Sequence, residues 1–258
     1  MTEKSLTVLV LAGQRPEGDP MAAAAGIRLK AMLPVGGRPM LERVIDALRA
    51  SHAVGSIVVS IPEPAALAGQ GVEALETEAT PSLSVLAAIE RLSGPVLVTT
   101  ADHALLTPEM VERFVAEARA LDDADLLVGL VERRSIEALE PGARRTYWRF
   151  ADGAYSGANL FYLATAQARS AVTFWRQVEA DRKRPWRIVR ALGPGLLLGY
   201  LIGRLTLDQA MVRASGRLGC RVRAVVLPFG EAAIDVDKPA DLAIVERLLL
   251  ARAAAPAP

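Results

Sequence analysis

The sequence is poor in three features that often assign a protein to a class. Cys220 is the single cysteine among 258 residues, which excludes an internal disulfide framework and a cysteine-based zinc site. The most apolar stretch, residues 195–203, is far shorter than the ~20 residues that a transmembrane helix needs. Long polar or Ser/Gly-rich linkers are missing as well. These absences predict a cytoplasmic protein with one domain over residues 1–252 and a disordered tail over residues 253–258.

The chain also lacks a large net charge of either sign. It has 30 basic and 29 acidic side chains, so no global field attracts nucleic acid or an anionic membrane, and anion binding has to be local. Arginine-rich stretches lie at residues 133–149 and 182–190. Arg144 and Arg145 form the pair that we expect to bind a phosphorylated acceptor. A solvated surface explains such clusters equally well.

Short apolar runs alternate with amphipathic segments through most of the chain. Helices are predicted over residues 39–50, after an N-cap at Ser82, after an N-cap at Thr107, and over residues 166–181 and 207–218. The predicted strands are residues 6–12, 56–61, 95–100, 126–131, 147–150, 158–163 and 221–227. This alternation predicts an α/β fold with a mostly parallel central sheet and helices on both faces.

The stretch over residues 9–30 links an apolar strand to a polar loop that carries Gly13, Arg15 and Lys30. A strand that ends in a glycine-containing loop exposes backbone N–H groups, and nearby cations make such a loop suitable for phosphate. The P-loop pattern GxxxxGK[ST] and the dinucleotide pattern GxGxxG are both missing. The alternative is a surface loop with two solvated cations.

Three aspartates predict a metal site. Asp102 follows a buried strand, and Asp235 and Asp237 precede the last predicted helix. Carboxylates of this kind are ligands that Mg²⁺ prefers. The alternative is that Asp102 caps the turn before Thr107 and that Asp235 or Asp237 caps the last helix. His103 is interpreted as a structural histidine rather than a general base.

Four motifs follow one another in the chain. They are LAGQR…K at residues 11–30, PVGGRPMLERV at residues 34–44, TTAD at residues 99–102 and DVDKPADL at residues 235–242. Together they resemble the nucleotidyltransferase family, and most of all the MobA-like guanylyltransferases and the sugar- or alcohol-phosphate cytidylyltransferases. The resemblance covers about residues 5–250. It implies a GT-A-like, Rossmann-like three-layer sandwich and Mg²⁺-dependent transfer of NMP from CTP or GTP to a phosphorylated small-molecule acceptor.

The resemblance also assigns roles to single positions. The catalytic set is Lys30, Arg15 and Asp102, with Arg28 as the alternative to Arg15 because this loop is longer than the family's and lacks its RMG. The metal ligands are Asp102 and either Asp237 or Asp235. The nucleotide-binding positions are Leu11, Ala12, Gly13, Gln14, Thr80, Ser82, Ser84 and Ala101. The acceptor-binding positions are Arg144, Arg145 and Asn159.

Two alternatives to a nucleotidyltransferase are open. A GT-A-type glycosyltransferase shares the sheet and a metal carboxylate, but its usual DxD motif is reduced here to Asp102-His103-Ala104. A catalytically silent nucleotide-binding relative, in peripheral contact with a membrane, is suggested by the degenerate loop and by the apolar residues 195–203 with their basic flanks. Those residues are otherwise predicted to form a buried helix or a homodimer contact.

Overall fold

The computed structural model describes residues 6–14, 17–142, 145–179, 190–191 and 193–254. Its strands form one large mixed sheet and one short hairpin. The strands are β1 Leu6–Leu11, β2 Pro34–Val35, β3 Arg38–Pro39, β4 Val54–Ile61, β5 Glu73–Glu76, β6 Val96–Thr100, β7 Leu126–Glu132, β8 Trp148–Phe150, β9 Gly153–Leu163 and β10 Val222–Leu227. The helices are α1 Pro20–Ala24, α2 Met40–Ala50, α3 Pro81–Arg91, α4 Pro108–Ala120, α5 Arg133–Leu139, α6 Ala168–Val178, α7 Pro194–Leu201, α8 Leu207–Leu218 and α9 Pro239–Ala254.

Strand β1 lies inside the large sheet, whose strand order is β10-β7-β9-β6-β1-β4-β5. It pairs in parallel with β6 on one side and with β4 on the other. A strand that is covered on both faces needs apolar side chains at successive positions. Val8, Leu9 and Val10 meet this need, since all three are fully buried. The predicted first strand is therefore confirmed as a central one.

Helices cover both faces of this sheet. Val8 and Val10 pack with residues of α2 and α4, whereas Leu9 packs on the opposite face with residues of α3 and α6. Successive side chains of a strand point to opposite faces, so one short strand contributes to both halves of the core. The predicted three-layer α/β arrangement is confirmed.

Strand β9 is the antiparallel member of the large sheet. It lies between β6 and β7 and runs antiparallel to both, and β8 pairs with its start. The pairing of β7 with β9 shifts between Val128 and Leu130. On the opposite strand, Asn159 has a φ of +49°, in the left-handed region that non-glycine residues rarely adopt. A bulge of this kind changes the direction in which the local side chains point.

The hairpin of β2 and β3 turns at Gly36 and Gly37, whose φ angles of +54° and +77° are favoured by glycine at both positions of a tight hairpin turn. Val35 and Met40 anchor this hairpin in a second, smaller core. That core also contains Val236 and the α9 residues Val245 and Leu248. It lies directly under the segment that carries Asp235 and Asp237.

Four details differ from the sequence predictions. Helix α3 begins at Pro81 with Thr80 as its N-cap, because the Thr80 hydroxyl accepts from the Leu83 N–H, so the predicted cap at Ser82 is wrong. Helix α5 was not predicted. Helix α9 reaches Ala254, so the predicted disordered tail loses its first two residues, and residues 255–258 lie outside the described chain.

The fourth difference concerns residues 195–203. They form helix α7 and its end, but Leu198, Leu201 and Ile202 are 62%, 66% and 56% exposed, so the prediction of a buried helix is wrong. Within the described residues, no helix has the length and apolar character needed to cross a bilayer.

Candidate active site

The carboxyl ends of β1 and β6 meet at one edge of the sheet. Leu11 pairs with Thr100, and the Ala101 N–H donates to the Leu11 carbonyl over 2.9 Å. On the other side, the Ala12 N–H donates to the Ser60 carbonyl over 2.8 Å. The loop after β1 and the residues after β6 therefore open into one crevice, as expected for neighbouring parallel strands.

The loop after β1 is attached to Lys30 through Gln14. The side-chain Oε1 of Gln14 accepts a hydrogen bond from the Lys30 N–H over 3.0 Å. Asp19 then caps α1 by accepting from the N–H groups of Met21 and Ala22. Within the described residues, the N–H groups of Gly13 and Gln14 donate to no protein acceptor. The loop thus presents backbone donors at the strand end, the arrangement that binds anions.

Lys30 lies between two carboxylates. Its Nζ is 3.2 Å from Asp102 Oδ2 and 2.9 Å from Asp237 Oδ1, and only 16% of its side chain is exposed. Burial alone would lower the pKa of Lys30, but the charges of Asp102 and Asp237 outweigh burial and raise that pKa. Lys30 is therefore a permanently charged group in the crevice.

The three predicted acidic residues lie together. One oxygen of each of Asp102, Asp235 and Asp237 falls within 4.8 Å of the others. The Val236 N–H donates to the Asp102 carbonyl over 3.1 Å and joins the two segments, while the Val236 side chain is fully buried. Burial raises the pKa of Asp235, and the negative charges of Asp102 and Asp237 raise it further.

Arg145 holds one member of this acidic cluster. Its Nη1 lies 2.5 Å from Asp235 Oδ1 and its Nη2 lies 3.3 Å from Asp241 Oδ1. The Arg145 side chain is 11% exposed and that of Asp241 is 4% exposed. Arg145 thus forms a buried ion-pair network beside the crevice, and its predicted contact with the acceptor stays a prediction.

Buried polar groups without a hydrogen-bond partner collect at the end of β6. Among the described residues they include the hydroxyls of Thr99 and Thr100, Oδ1 of Asp102 and both ring nitrogens of His103. His103 is 1% exposed, and burial lowers its pKa to about 4. Because neither of its ring nitrogens has a hydrogen-bond partner among the described residues, the prediction of a satisfied structural histidine is wrong. Buried polar groups are normally paired, so this concentration marks the strand end as a functional edge.

Asn159 lies at the same edge. Asn159 precedes Phe161 by two residues, and Phe161 pairs with Val98 of β6, two residues before the end of that strand at Thr100. Strained backbone conformations cluster at functional sites, and the positive φ of Asn159 is of this kind. Its position agrees with the predicted contact to an acceptor, which itself stays a prediction.

The segment of Thr80, Ser82 and Ser84 is held by its own protein contacts. The Ser82 hydroxyl donates to Glu179 Oε2 over 2.8 Å, and the Ser84 hydroxyl accepts from the Glu78 N–H over 2.9 Å. Both serines are buried. These bonds order the start of α3, and the contact of this segment with a nucleotide stays a prediction.

Of the two loop arginines that are candidates for binding the triphosphate, Arg28 lies within the described residues and Arg15 does not. Arg15 and Arg144 lie outside the described residues. Arg28 is described, and its exposed guanidinium forms an ion pair with Glu63. The choice between Arg15 and Arg28 as a partner of the triphosphate therefore stays open.

The sequence analysis missed Asp241. Its Oδ2 accepts from the N–H groups of Asp237 and Lys238, so it orders the start of α9 while its Oδ1 pairs with Arg145. An acidic residue three positions after Lys238 is the pattern of a side chain that reaches back to the helix start, and this signal was available.

Comparisons with known proteins identify a family domain and similar sequences. Residues 8–192 match the MobA-like NTP transferase domain. The 2-C-methyl-D-erythritol 4-phosphate cytidylyltransferase of Rhodococcus opacus strain B4 is 36% identical over an alignment of 110 residues, which covers 38% of this chain and 49% of that protein. The chain thus spans about half the length of the curated relatives from Rhodococcus that it matches.

Two solved structures extend the comparison to the whole fold. A hypothetical transferase from Thermus thermophilus has a TM-score of 0.79 and 36% identity, covering 92% of this chain and 99% of its own. The 2-C-methyl-D-erythritol 4-phosphate cytidylyltransferase from the same species has a TM-score of 0.57 at 20% identity, covering 95% and 99%, and shows the fold alone. The domain match covers most of the length of the chain, and the loop, Lys30 and the aspartates lie in one crevice. The chain therefore belongs to the MobA-like NTP transferase family.

Proposed function

We propose that this chain is a nucleotidyltransferase that transfers NMP from an NTP to a phosphorylated small-molecule acceptor and releases pyrophosphate. The observation that carries the proposal is the contact of Lys30 with Asp102 and Asp237 at the carboxyl ends of the central strands. The curated relatives are named as cytidylyltransferases of 2-C-methyl-D-erythritol 4-phosphate, which favours CTP over GTP and supports a phosphorylated acceptor.

The reaction needs positioning and charge neutralisation more than proton transfer. An oxygen of the acceptor phosphate attacks the α-phosphorus of the NTP, the bond to the bridging oxygen of the β-phosphate breaks, and pyrophosphate leaves with that electron pair. The N–H groups of Gly13 and Gln14 would cradle the phosphates. Lys30 would offset the negative charge that grows on the leaving group.

The acidic cluster fits a divalent cation. Asp102 Oδ1 is buried and has no hydrogen-bond partner among the described residues, and carboxylate oxygens are the ligands that Mg²⁺ prefers. Asp235 is engaged by Arg145, whereas Asp102 and Asp237 share Lys30, which favours Asp102 and Asp237 as the ligands. When bound there, Mg²⁺ would neutralise and align the phosphates of the NTP.

The residue at position 104 disfavours the glycosyltransferase alternative. A DxD motif needs a second carboxylate two residues after Asp102, and that residue is Ala104, which is 3% exposed in the small core. The pair of Lys30 with Asp102, whose side chains are 16% and 23% exposed, disfavours a catalytically silent protein as well, because charges that are largely removed from water are costly to keep.

A pyrophosphate-release screen tests the proposal. CTP, GTP, UTP and ATP are each combined with Mg²⁺ and a panel of phosphorylated sugars and alcohols. We expect release with CTP and one class of acceptor, and we expect Asp102→Ala to abolish it while the thermal unfolding midpoint stays close to that of the wild type. The control is Asp208→Asn, an exposed change in the first turn of α8 that should leave turnover unchanged. Unchanged turnover of Asp102→Ala would refute the metal site.

A further inference from the structure

Helix α7 is attached to the protein by one face and exposes the other. Leu197 and Tyr200 pack on the buried residues Leu205 and Ala210, and the Tyr200 hydroxyl accepts from the Arg149 N–H over 3.4 Å. Leu198, Leu201 and Ile202, which we call the apolar face of α7, are 62%, 66% and 56% exposed. Their spacing of three and four residues places them on one side of the helix.

Apart from the five-residue α1, every other described α-helix contains charged residues, and α7 differs from those helices in composition. Its sequence PGLLLGYL contains no charged residue. Single exposed apolar side chains are common on protein surfaces, and Leu250 of α9, 71% exposed, is one of them. Three adjacent exposed side chains on an uncharged helix are different, because clustered apolar surface marks an interaction site.

The sequence on both sides of the apolar face of α7 is positively charged. The interval between Asp181 and Asp208 contains no acidic residue, although the whole chain has a net charge of only +1. Its basic residues are Arg182, Lys183, Arg184, Arg187, Arg190 and Arg204. Arg204 is exposed just after the helix, and the exposed Arg213 of α8 lies so close that a Cβ at Gly199 would meet its Nη1 at 2.9 Å.

We infer that the apolar face of α7, together with the exposed Arg204 and Arg213 beside it, binds the surface of an anionic phospholipid membrane. Apolar side chains that enter the acyl boundary, next to basic side chains that reach phosphate groups, are the features of interfacial helices. Each basic residue near an anionic surface contributes about 1 kcal/mol, which is roughly a fivefold gain in partitioning.

Charge also favours a membrane over a second copy of the chain as the partner of this surface. In a twofold-symmetric dimer the same surface faces itself, so Arg204 and Arg213 would meet their own counterparts. Like charges opposite one another oppose that contact, whereas the phosphates of an anionic membrane attract the same residues. The membrane is therefore the partner whose charge fits the surface.

Vesicle sedimentation tests this inference with the full chain. The vesicles contain either phosphatidylcholine alone or phosphatidylcholine with 30 mol% phosphatidylglycerol. We expect the wild type to sediment with the anionic vesicles and to stay in the supernatant with the neutral ones. Binding should fall as NaCl rises from 50 to 500 mM, because salt screens the attraction.

The decisive variant is the triple change Leu198→Gln, Leu201→Gln and Ile202→Gln, which should lose at least tenfold in binding. The matched control is Leu250→Gln, which removes an equally exposed leucine from α9 and should bind as the wild type does. Circular dichroism and the thermal midpoint verify that both variants fold. Failure of the wild type to bind anionic vesicles, or unchanged binding of the triple variant, would overturn the inference. So would a wild-type dimer in analytical ultracentrifugation that the triple variant breaks while vesicle binding is absent.

The test is independent of the proposed reaction. Thermal stabilisation by CTP and Mg²⁺ reports on the crevice at the ends of β1 and β6 and should be equal in the wild type and the triple variant. Loss of vesicle binding with CTP stabilisation intact therefore identifies the α7 surface, whatever the outcome of the pyrophosphate screen.

Discussion

Lys30 and Asp102 are 72 residues apart in the chain, yet the Lys30 Nζ lies 3.2 Å from Asp102 Oδ2. The same ammonium group reaches Asp237 over 2.9 Å, so it bridges the two carboxylates proposed to hold a metal ion. The Lys30 ammonium group and a divalent metal ion cannot both bind these oxygens without weakening each other's binding, since like charges a few ångströms apart repel. If the acidic cluster binds a divalent cation as proposed, Lys30 would compete with that cation in the absence of nucleotide.

The first prediction follows from this competition. Lys30→Met removes the internal cation, so we expect Mn²⁺ to bind the nucleotide-free protein at least about tenfold more tightly, as judged from the Coulomb energy of one nearby charge. Turnover should fall by roughly 10²-fold, because a cation that stabilises the leaving group is lost. Mn²⁺ affinity is measured by electron paramagnetic resonance, and turnover by pyrophosphate release.

Lys238→Met is the matched control for this prediction. Lys238 is an exposed lysine next to Asp237, and its replacement should leave Mn²⁺ affinity within about twofold of the wild type. Equal or weaker Mn²⁺ binding by Lys30→Met would show that the ammonium does not compete for the carboxylates.

The second prediction concerns Arg145. Arg145→Met leaves Asp235 and Asp241 without their guanidinium partner, and breaking a buried ion pair costs about 3 kcal/mol. Arg223→Met is the control, because the pair of Arg223 with the half-exposed Asp123 lies at the surface and its loss costs less than about 1 kcal/mol. Urea denaturation measures both. Similar free energies of unfolding for the two variants would contradict a structural role for Arg145.

The third prediction concerns the backbone of Asn159, whose φ is +49°. Asn159→Gly removes the side-chain amide while glycine adopts this conformation at no steric cost, so the free energy of unfolding should change by less than about 1 kcal/mol. If the amide contacts the acceptor, the KM for the acceptor should rise at least about fivefold, as expected for one lost hydrogen bond, with the KM for CTP unchanged. An unchanged acceptor KM would remove Asn159 from the site.

Local patterns in the sequence account for much of this fold. The run of Leu6–Leu11 is buried on both faces, and such a strand is recognisable from its unbroken apolar residues. The edge position of Asp102 follows from the parallel arrangement in the same way. The bridging of Asp102 and Asp237 by Lys30 could not be predicted, because it joins residues up to 207 positions apart through contacts that leave no periodic pattern.

Helix α7 shows the opposite limit. Its apolar residues predict burial, since apolar side chains are most often inside. The structure leaves Leu198, Leu201 and Ile202 exposed, because the helix packs through Leu197 and Tyr200 instead. The composition of α7 shows that the helix is apolar. Only the packing shows that no other described element covers Leu198, Leu201 and Ile202.

The last prediction is a pH dependence of stability. Asp125 Oδ2 accepts from the N–H and the Nε of Arg221, its Oδ1 accepts from Thr165, and its side chain is 7% exposed. These bonds, above all those from Arg221, lower the pKa of Asp125 to about 2. A carboxyl whose pKa is lower in the folded than in the unfolded protein stabilises the fold above its ordinary pKa near 4 and loses this effect as the pH falls toward 2.

We therefore expect Asp125→Asn to be less stable than the wild type by about 2 kcal/mol at pH 7, with the gap narrowing to roughly half at pH 3, as linkage requires for a shift of this size. Urea denaturation between pH 7 and pH 3 measures the gap. Asp122→Asn, an exposed change in the same loop, is the control and should follow the wild type over the whole range. A gap that stays constant with pH would mean that the ionised form of Asp125 does not stabilise the fold, and that its hydrogen bonds act equally well from a neutral side chain.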